Sequence, residues 1–235
     1  MTTGESISEK GYRAYRDKLT EAFTHDPALV LLPENAFPYF ELNEENGTLI
    51  ENSLINFNGR DVLYQDFISL SRAHASTTIA VGLHTFRAGK RYNSVAFFEE
   101  GKPISYYHKR ILVPFTEYAP FGLSLPMYMR FTSGSFEQPL SISGNEWDAL
   151  ICSEIADTNI NTKSGGVILA SSNDSVFLGD TAGKIHHEMA KMRALEHNAY
   201  ILRASKGGVT SIINRHGVVV SETHEGVVFA DIFVP

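Results

Sequence analysis

The chain has a single cysteine in 235 residues, so no disulfide can form within it. One cysteine says nothing of redox compartment. It leaves two readings of Cys152: a small buried hydrophobe or a reactive thiol. Long apolar runs are also missing. Nothing approaches the ~18 consecutive apolar residues of a membrane helix, and the opening Met1-Thr2-Thr3-Gly4-Glu5 lacks the apolar centre of a signal peptide. The chain therefore reads as soluble, with no membrane span. Positive charge is scarce: 20 Lys and Arg stand against 27 Asp and Glu, a net charge of -7. The densest basic stretch, His108-Lys109-Arg110, is too short to track phosphates. Nucleic acid is thereby excluded as a partner.

Repeats, low-complexity stretches and linkers are absent too, which makes residues 1–235 a single domain. Metal and phosphate motifs fare no better. His186-His187-Glu188 with His197 does not fit the HExxH spacing, and adjacent histidines face different sides of a helix. Gly207-Gly208 has neither the lysine nor the helix of a phosphate loop and reads as a hairpin turn. Neither a metal nor a cofactor is expected.

What is present is ordinary globular material, 43% hydrophobic and 20% charged. Helical spacing of Tyr12, Tyr15, Leu19, Ala22 and Phe23 predicts a helix over 7–25, ended by Pro27. Ala28 to Leu32 reads as a strand buried on both faces. A second helix spans 60–75. Three strands follow as a meander: Thr77–Phe86, Asn93–Phe98 and Ile104–His108. Residues 110–140 combine four prolines with many aromatics, as a long binding loop does. Trp147–Cys152 and Gly166–Ala170 are further strands, the first entered from a turn at Ser143-Gly144-Asn145. A helix over 184–199 carries Ile185, Met189, Met192 and Leu195 on one face, with Asp180 or Thr181 to cap its entry. The tail alternates short strands, Tyr200–Ser205, Val209–Asn214, Val218–Glu222 and Val227–Val234. Strands and helices interleave, so the class is α/β or α+β.

Three ionisable residues hold equivalent places. Glu34 follows strand 28–32, Lys109 follows strand 104–108, and Cys152 closes strand 147–151. Ligands gather outside strand ends in such sheets. A carboxylate that accepts the thiol proton, an ammonium beside the sulfur and the developing oxyanion, and a nucleophilic thiol together support acyl transfer through a thioester. The bland alternative keeps Glu34 as a turn cap, Lys109 as a solvated strand end and Cys152 as packing. Asp157 and Asp174 read as turn residues, with Asn173-Asp174 near the site.

The local words around these residues resemble the nitrilase, or carbon–nitrogen hydrolase, superfamily. Leu31-Leu32-Pro33-Glu34-Asn35-Ala36-Phe37-Pro38 resembles its glutamate motif. Tyr106-Tyr107-His108-Lys109-Arg110 resembles its lysine motif, and Leu150-Ile151-Cys152-Ser153-Glu154 its cysteine motif. The stretch Lys109 to Phe121, Ser172-Asn173-Asp174, Met189 to Glu196, and Leu202 to Thr210 resemble the apolipoprotein N-acyltransferase branch. The likeness runs over roughly residues 8–233.

That resemblance implies an αββα sandwich of two mixed sheets, with Glu34 as base, Lys109 as stabiliser and Cys152 as nucleophile. It implies supporting roles for Glu117, Glu154 and Asn173. In that branch the thiol takes a fatty acyl chain from phospholipid and passes it to the amino group of a lipoprotein, at the periplasmic face of the inner membrane. Soluble cytoplasmic amidases of the superfamily use water instead and dimerise through helices near the cysteine strand, so a homodimer and a small amide substrate belong to that second expectation. A third expectation is a non-catalytic domain that binds a partner or an acyl ligand. Two departures favour it: Ser153 stands where the family usually has an aromatic residue, and the family's first apolar strand has no counterpart in the polar residues 1–8. The apolar set Phe115, Tyr118, Phe121, Leu123, Leu125, Met127, Tyr128 and Met129 reads either as a substrate lid, with Phe115, Tyr118 and Phe121 its aromatic members, or as loop folded back on the core.

Overall fold

The computed structural model describes residues 7–50, 59–123, 126, 130–135, 140–142, 145–158 and 166–232. Helix α1 (Ile7–Phe23) comes first, then β1 (Leu29–Leu31), β2 (Glu41–Asn43), β3 (Thr48–Leu49) and α2 (Arg60–Ala73). The meander is β4 (Thr78–Arg87), β5 (Lys90–Glu99) and β6 (Lys102–His108). The second half holds β7 (Leu140–Ile142), β8 (Asn145–Ile151), β9 (Val167–Asn173), α3 (Thr181–His197), β10 (Tyr200–Lys206), β11 (Thr210–Ile213) and β12 (Val219–Thr223).

These strands make two six-stranded mixed sheets. The first runs β3-β2-β4-β5-β6, with β1 also on β4; the second runs β12-β11-β10-β9-β8-β7. β1 and β2 both lie parallel to β4, β1 along Thr78–Ala80 and β2 along His84–Phe86. A core between the sheets joins Ala80, Val95 and Phe97 of the first to Ala149, Ile151 and Leu169 of the second. Helices α1 and α2 pack on the outer face of the first sheet through Tyr12, Leu19, Phe37, Phe40 and Phe67. Helix α3 covers the outer face of the second through Ala190 and Ala194. The layers are α, β, β, α, as expected.

Several boundaries differ from the sequence expectations. The short strands β2, β3 and β7 escaped notice because two or three residues carry too little periodicity to read. Residues 227–232 form no strand despite their β-branched content, and 233–235 lie outside the described residues. So do Ser143 and Gly144 of the expected turn. β1 is half-buried rather than buried on both faces. Helix α3 turns the opposite stripe inward: Gly183, His186, His187, Ala190, Arg193 and Ala194 are buried, while Ile185, Met192 and Leu195 are exposed. Small residues let the helix approach the sheet closely, and that decides the face against hydrophobicity. Asp180 precedes α3, but its side chain makes no capping hydrogen bond. Gly207, at a φ of 75°, turns β10 into β11 as a hairpin.

Strand β4 positions the glutamate segment. The Leu32 N–H donates to Ala80 and the Ala36 N–H to Gly82, so residues 32–36 are stapled to β4 at both ends. Gly82 permits this closeness, since a Cβ there would lie 2.5 Å from the Glu34 Cα. Gly82→Ala should therefore lower stability by about 1–3 kcal/mol, read as a fall in the urea midpoint, and should reduce any activity that depends on Glu34.

Candidate active site

Four strands direct their C-terminal ends to one end of the sandwich. β1 leads to Glu34, β6 to Lys109, β8 to Cys152 and β9 to Asn173. A hydrogen bond from the Ser171 hydroxyl to the Leu32 carbonyl, 3.2 Å, ties the two sheets together there.

The charged groups form one connected cluster. Glu34 is buried; its Oε1 accepts from Asn93 Nδ2 at 2.7 Å and its Oε2 accepts from the Asn173 backbone N–H at 2.9 Å. The same Asn93 amide donates to Glu117 Oε1 at 2.9 Å. Glu117 Oε2 lies 2.7 Å from Lys109 Nζ. Lys109 is 1% exposed, which removes the solvated-strand-end reading. Its backbone is fixed as well: its N–H donates to Asn93 and its carbonyl accepts from Gly134. Glu117 also holds its own loop, because its Oε2 accepts from the Val113 N–H at 2.8 Å.

Electrostatics bind Cys152 to this cluster. Burial raises the Cys152 thiol and the Glu34 charge raises it further, against the pull of Lys109, so it is pushed up to about 12. Burial works against the Lys109 charge, yet Glu117, Glu34 and Cys152 outweigh it and hold the ammonium above its ordinary value. Burial also raises Glu34, opposed by Lys109 and Asn93. The resting sulfur is thus a protonated thiol, not the anion that an adjacent ammonium alone would produce. Glu34, with its affinity for protons increased, is the group coupled to it.

The turn that carries the thiol is conformationally special. Cys152 has a φ of 52°, the left-handed region, and opens a 3-10 turn, Cys152–Ala156, rather than closing the strand. Glu154 fixes this turn. It is fully buried and accepts from the Ile151 N–H (2.8 Å), the Arg110 N–H (2.7 Å), the Ile111 N–H (3.1 Å) and the Tyr107 hydroxyl (2.9 Å). One carboxylate therefore joins the residue before Cys152 to the two residues after Lys109. The Ser153 hydroxyl is buried without a hydrogen-bond partner among the described residues.

Asp174 is more than a turn residue. Its carboxylate meets Ser172 (2.8 Å), His186 (2.8 Å), Arg203 (2.5 Å) and Ser205 (2.7 Å). Burial opposes its charge, but these partners hold its carboxyl well below the usual carboxylate range. The network anchors the start of the turn whose Asn173 N–H serves Glu34. His186 is thereby engaged with Asp174, and His187 faces Glu222 at 3.8 Å. Among the described residues no group of His, Cys, Asp or Glu could hold a metal ion.

Of the aromatic arm, Phe121 is 94% exposed, Phe115 is exposed, and Tyr118 is partly so. Phe115 and Phe121 also take left-handed φ values of 65° and 58°. Tyr118, with Arg110, Ile111, Leu112 and Ser133, lines a cavity of about 410 Å³. Leu125, Met127, Tyr128 and Met129 lie outside the described residues. Sequence reasoning missed Asn93. Its signal was a carboxamide on a largely apolar strand, at the position that the β5–β6 register sets opposite Lys109.

The chain matches the carbon-nitrogen hydrolase family over residues 6–234. It belongs to that family. It is 25% identical over 230 residues to an apolipoprotein N-acyltransferase of Aquifex aeolicus, which covers 94% of this chain and 48% of that relative. It is 28% identical over 236 residues to one from Haemophilus ducreyi, covering 91% of this chain and 43% of the relative. The chain thus spans less than half the length of these relatives. Among solved structures it superposes on a carbon-nitrogen hydrolase from Helicobacter pylori G27 with a TM-score of 0.67 at 14% identity, over 93% of this chain and 81% of that one. An amidase from Nesterenkonia sp. AN1, seen with acrylamide added at its active-site cysteine, gives 0.66 at 15% identity, over 93% and 84%. These structural likenesses establish the nitrilase-type fold.

Two expectations follow from the geometry. Glu154→Gln places an amide N–H against donors it cannot accept from, and should lower stability by about 2–3 kcal/mol while reducing Cys152 reactivity. The thiolate absorbance difference between the wild type and Cys152→Ala should stay flat from about pH 6 to about pH 9, where an ordinary thiol titrates near about 8.5. A titration step inside that window would contradict a thiol raised by burial and by the Glu34 charge.

Proposed function

We propose that this family member transfers acyl groups through a thioester on Cys152, with Glu34 as the proton acceptor, Lys109 as the oxyanion's counter-charge, and Glu117, Glu154 and Asn173 as their supports. The observation that carries the reading is the buried chain of contacts from Glu34 through Asn93 and Glu117 to Lys109, electrostatically coupled to the half-buried Cys152 thiol. As sulfur attacks an acyl carbonyl, its proton passes to Glu34, the carbonyl oxygen becomes an oxyanion beside Lys109, and the new bond is carbon–sulfur. Collapse expels the leaving group, which takes the proton back from Glu34. An acceptor then enters, Glu34 removes its proton, and the thiolate leaves and is reprotonated.

The donor is read as a fatty acyl lipid and the acceptor as a lipoprotein amino group. Two observations support this: relatives named apolipoprotein N-acyltransferase align along most of the chain, and Phe115, Tyr118 and Phe121 offer apolar surface on an arm adjoining Glu117. Exposed apolar surface of this kind commonly meets a ligand or a bilayer. Among the described residues no helix is long and apolar enough to cross a membrane. The same acylated thiol would pass its group to water in the amidase reading, since Glu34 can deprotonate either acceptor.

Intact-mass measurement after incubation with a p-nitrophenyl acyl ester tests the core of the reading. The wild type should gain one acyl group and Cys152→Ala none. Glu34→Gln should acylate at least about 100-fold more slowly, the usual loss on removing a general base. Equal labelling of wild type and Cys152→Ala would refute the nucleophile. Adding a cysteine-initiated peptide amine to the acylated protein then separates the acceptors. Transfer to the peptide supports the N-acyltransferase reading, and release as free acid alone supports the amidase.

A further inference from the structure

The first sheet carries a polar row across its strands at the site end. In register, Glu41 of β2 lies opposite His84 of β4, and His84 lies opposite Asn93 of β5. Directly opposite residues share a face, and Asn93 shares its face with Val95 and Phe97 of the core between the sheets. The Lys109 N–H, bonded to the Asn93 carbonyl, carries the row on to the end of β6. Glu41 and His84 therefore stand in line with the residues of the candidate site.

Arg91 lies two residues before Asn93, on the same face of β5 and nearer the rim. It is buried, and its Nη2 lies 2.5 Å from Glu41 Oε1 and 2.8 Å from His84 Nδ1. The His84 nitrogen accepts that bond only as a neutral imidazole, and burial holds its pKa below the ordinary histidine value. The guanidinium carbon sits 4.7 Å from the centre of the Phe131 ring, and the His84 ring is 4.9 Å from the same ring. Phe131 opens a short segment, 131–134, that belongs to no helix or strand. The backbone of this segment is bonded to three parts of the site. The Phe131 N–H donates to the Glu117 carbonyl at 2.8 Å, the Thr132 N–H to the Arg91 carbonyl at 2.7 Å, and the Gly134 N–H to the Lys109 carbonyl at 2.9 Å. The Ser133 hydroxyl donates to the Arg110 carbonyl.

We propose that Arg91 is a positioning residue for the Lys109–Glu117 pair: its guanidinium seats the Phe131 ring, and the seated segment 131–134 holds both residues by their backbone carbonyls. The inference rests on the acyl-transfer reading, in which Lys109 is the oxyanion's counter-charge. The contact between Lys109 Nζ and Glu117 Oε2, 2.7 Å, joins two long side chains. Its geometry is only as well defined as the two backbones that carry them. Both backbones are anchored on one short segment, so the seat of that segment sets their separation. Neutralising Glu41 alone would not require arginine, since an ammonium supplies the same charge. A guanidinium also pairs through its edge while laying its flat face on a ring, which lysine cannot do.

Single-turnover acylation of the full chain by a p-nitrophenyl acyl ester, followed by intact mass over a range of ester concentrations, tests this. Arg91→Lys keeps a cation for Glu41 and loses the stacking plane. It should lower the maximal acylation rate about 10- to 100-fold, as small misplacements of catalytic groups do, and leave the half-saturating ester concentration unchanged. Phe131→Leu leaves the Arg91–Glu41 pair in place and should cost as much; Phe131→Tyr, which keeps the ring, should recover the rate. Because the two side chains act as one unit, the double variant Arg91→Lys with Phe131→Leu should be no slower than either single variant. Hydrogen exchange reads the same seat without activity. The Phe131 and Gly134 amides should exchange at least about tenfold faster in Arg91→Lys, with the amides of β9 and β10 unchanged. A wild-type acylation rate in Arg91→Lys, losses that multiply in the double variant, or unchanged exchange at Phe131 and Gly134 would each overturn the role of Arg91 and leave the acyl-transfer reading standing. Absence of acylation in the wild type would instead sink that reading, and this role with it.

Discussion

The structure depends on keeping charge constant inside a nearly dry cluster. Glu34, Glu117 and Lys109 are all buried, and with Cys152 neutral they sum to one negative charge. Ionising the thiol to solvent would add a second, and a low-dielectric interior resists that strongly. Moving the thiol proton to Glu34 changes nothing in the sum. The raised thiol and the raised glutamate are two faces of the same constraint, and together they favour an internal transfer over loss of a proton to water. In the reaction we propose, sulfur bonds to a carbonyl and the negative charge reappears on an oxygen whose counter-charge is Lys109. No step requires the cluster to gain or lose a net charge.

The cluster can be held this way because its supports come from several parts of the fold. Asn93 on β5 separates two carboxylates that would otherwise repel, and it donates to both. Glu154 is fully buried beside the cluster's chain neighbours Arg110 and Ile151. Its four accepted hydrogen bonds join the cysteine turn of the second sheet to the end of β6 in the first. Burial opposes its charge and backbone N–H groups favour it. Asp174 performs the parallel task for β9, with Arg203 as its neutralising partner.

The three candidate residues were legible because each lies just past a strand end in a distinctive local word. Strand ends are where a sheet exposes polar groups, so local sequence and global position agree there. Asn93 and the function of Glu154 were not legible, since Asn93 reaches Glu34 across 59 residues and Glu154 reaches the Arg110 N–H across 44, and no local pattern encodes such contacts. Helix α3 misled for a different reason. Its apolar residues suggested the buried face, but the sheet beneath demands close approach, and His186 and Arg193 are drawn inward by Asp174 and by the Asp157 carbonyl. The tail 227–232 has strand composition without a strand beside it. Composition states a preference for pairing, and only the fold supplies the partner.

Backbone strain falls into two groups. Among the non-glycine residues with left-handed φ, Ala88 and Glu100 precede glycines in hairpin turns, and Asp26 and Asn198 close helices. Such places commonly use that conformation. The remaining four are Asn35, Phe115, Phe121 and Cys152, and each adjoins the glutamate, the lysine-bearing loop or the thiol. A β-carbon in this region costs roughly 1–2 kcal/mol, and two of the four carry bulky aromatic side chains. Strain of that kind persists where surrounding contacts over-determine the backbone. Around Cys152 the over-determination is visible in Glu154, and around Asn35 in the paired staples to β4. The fold thus holds its thiol and its carboxylate in conformations neither segment would choose alone, and the two sheets are stiff enough to keep them there.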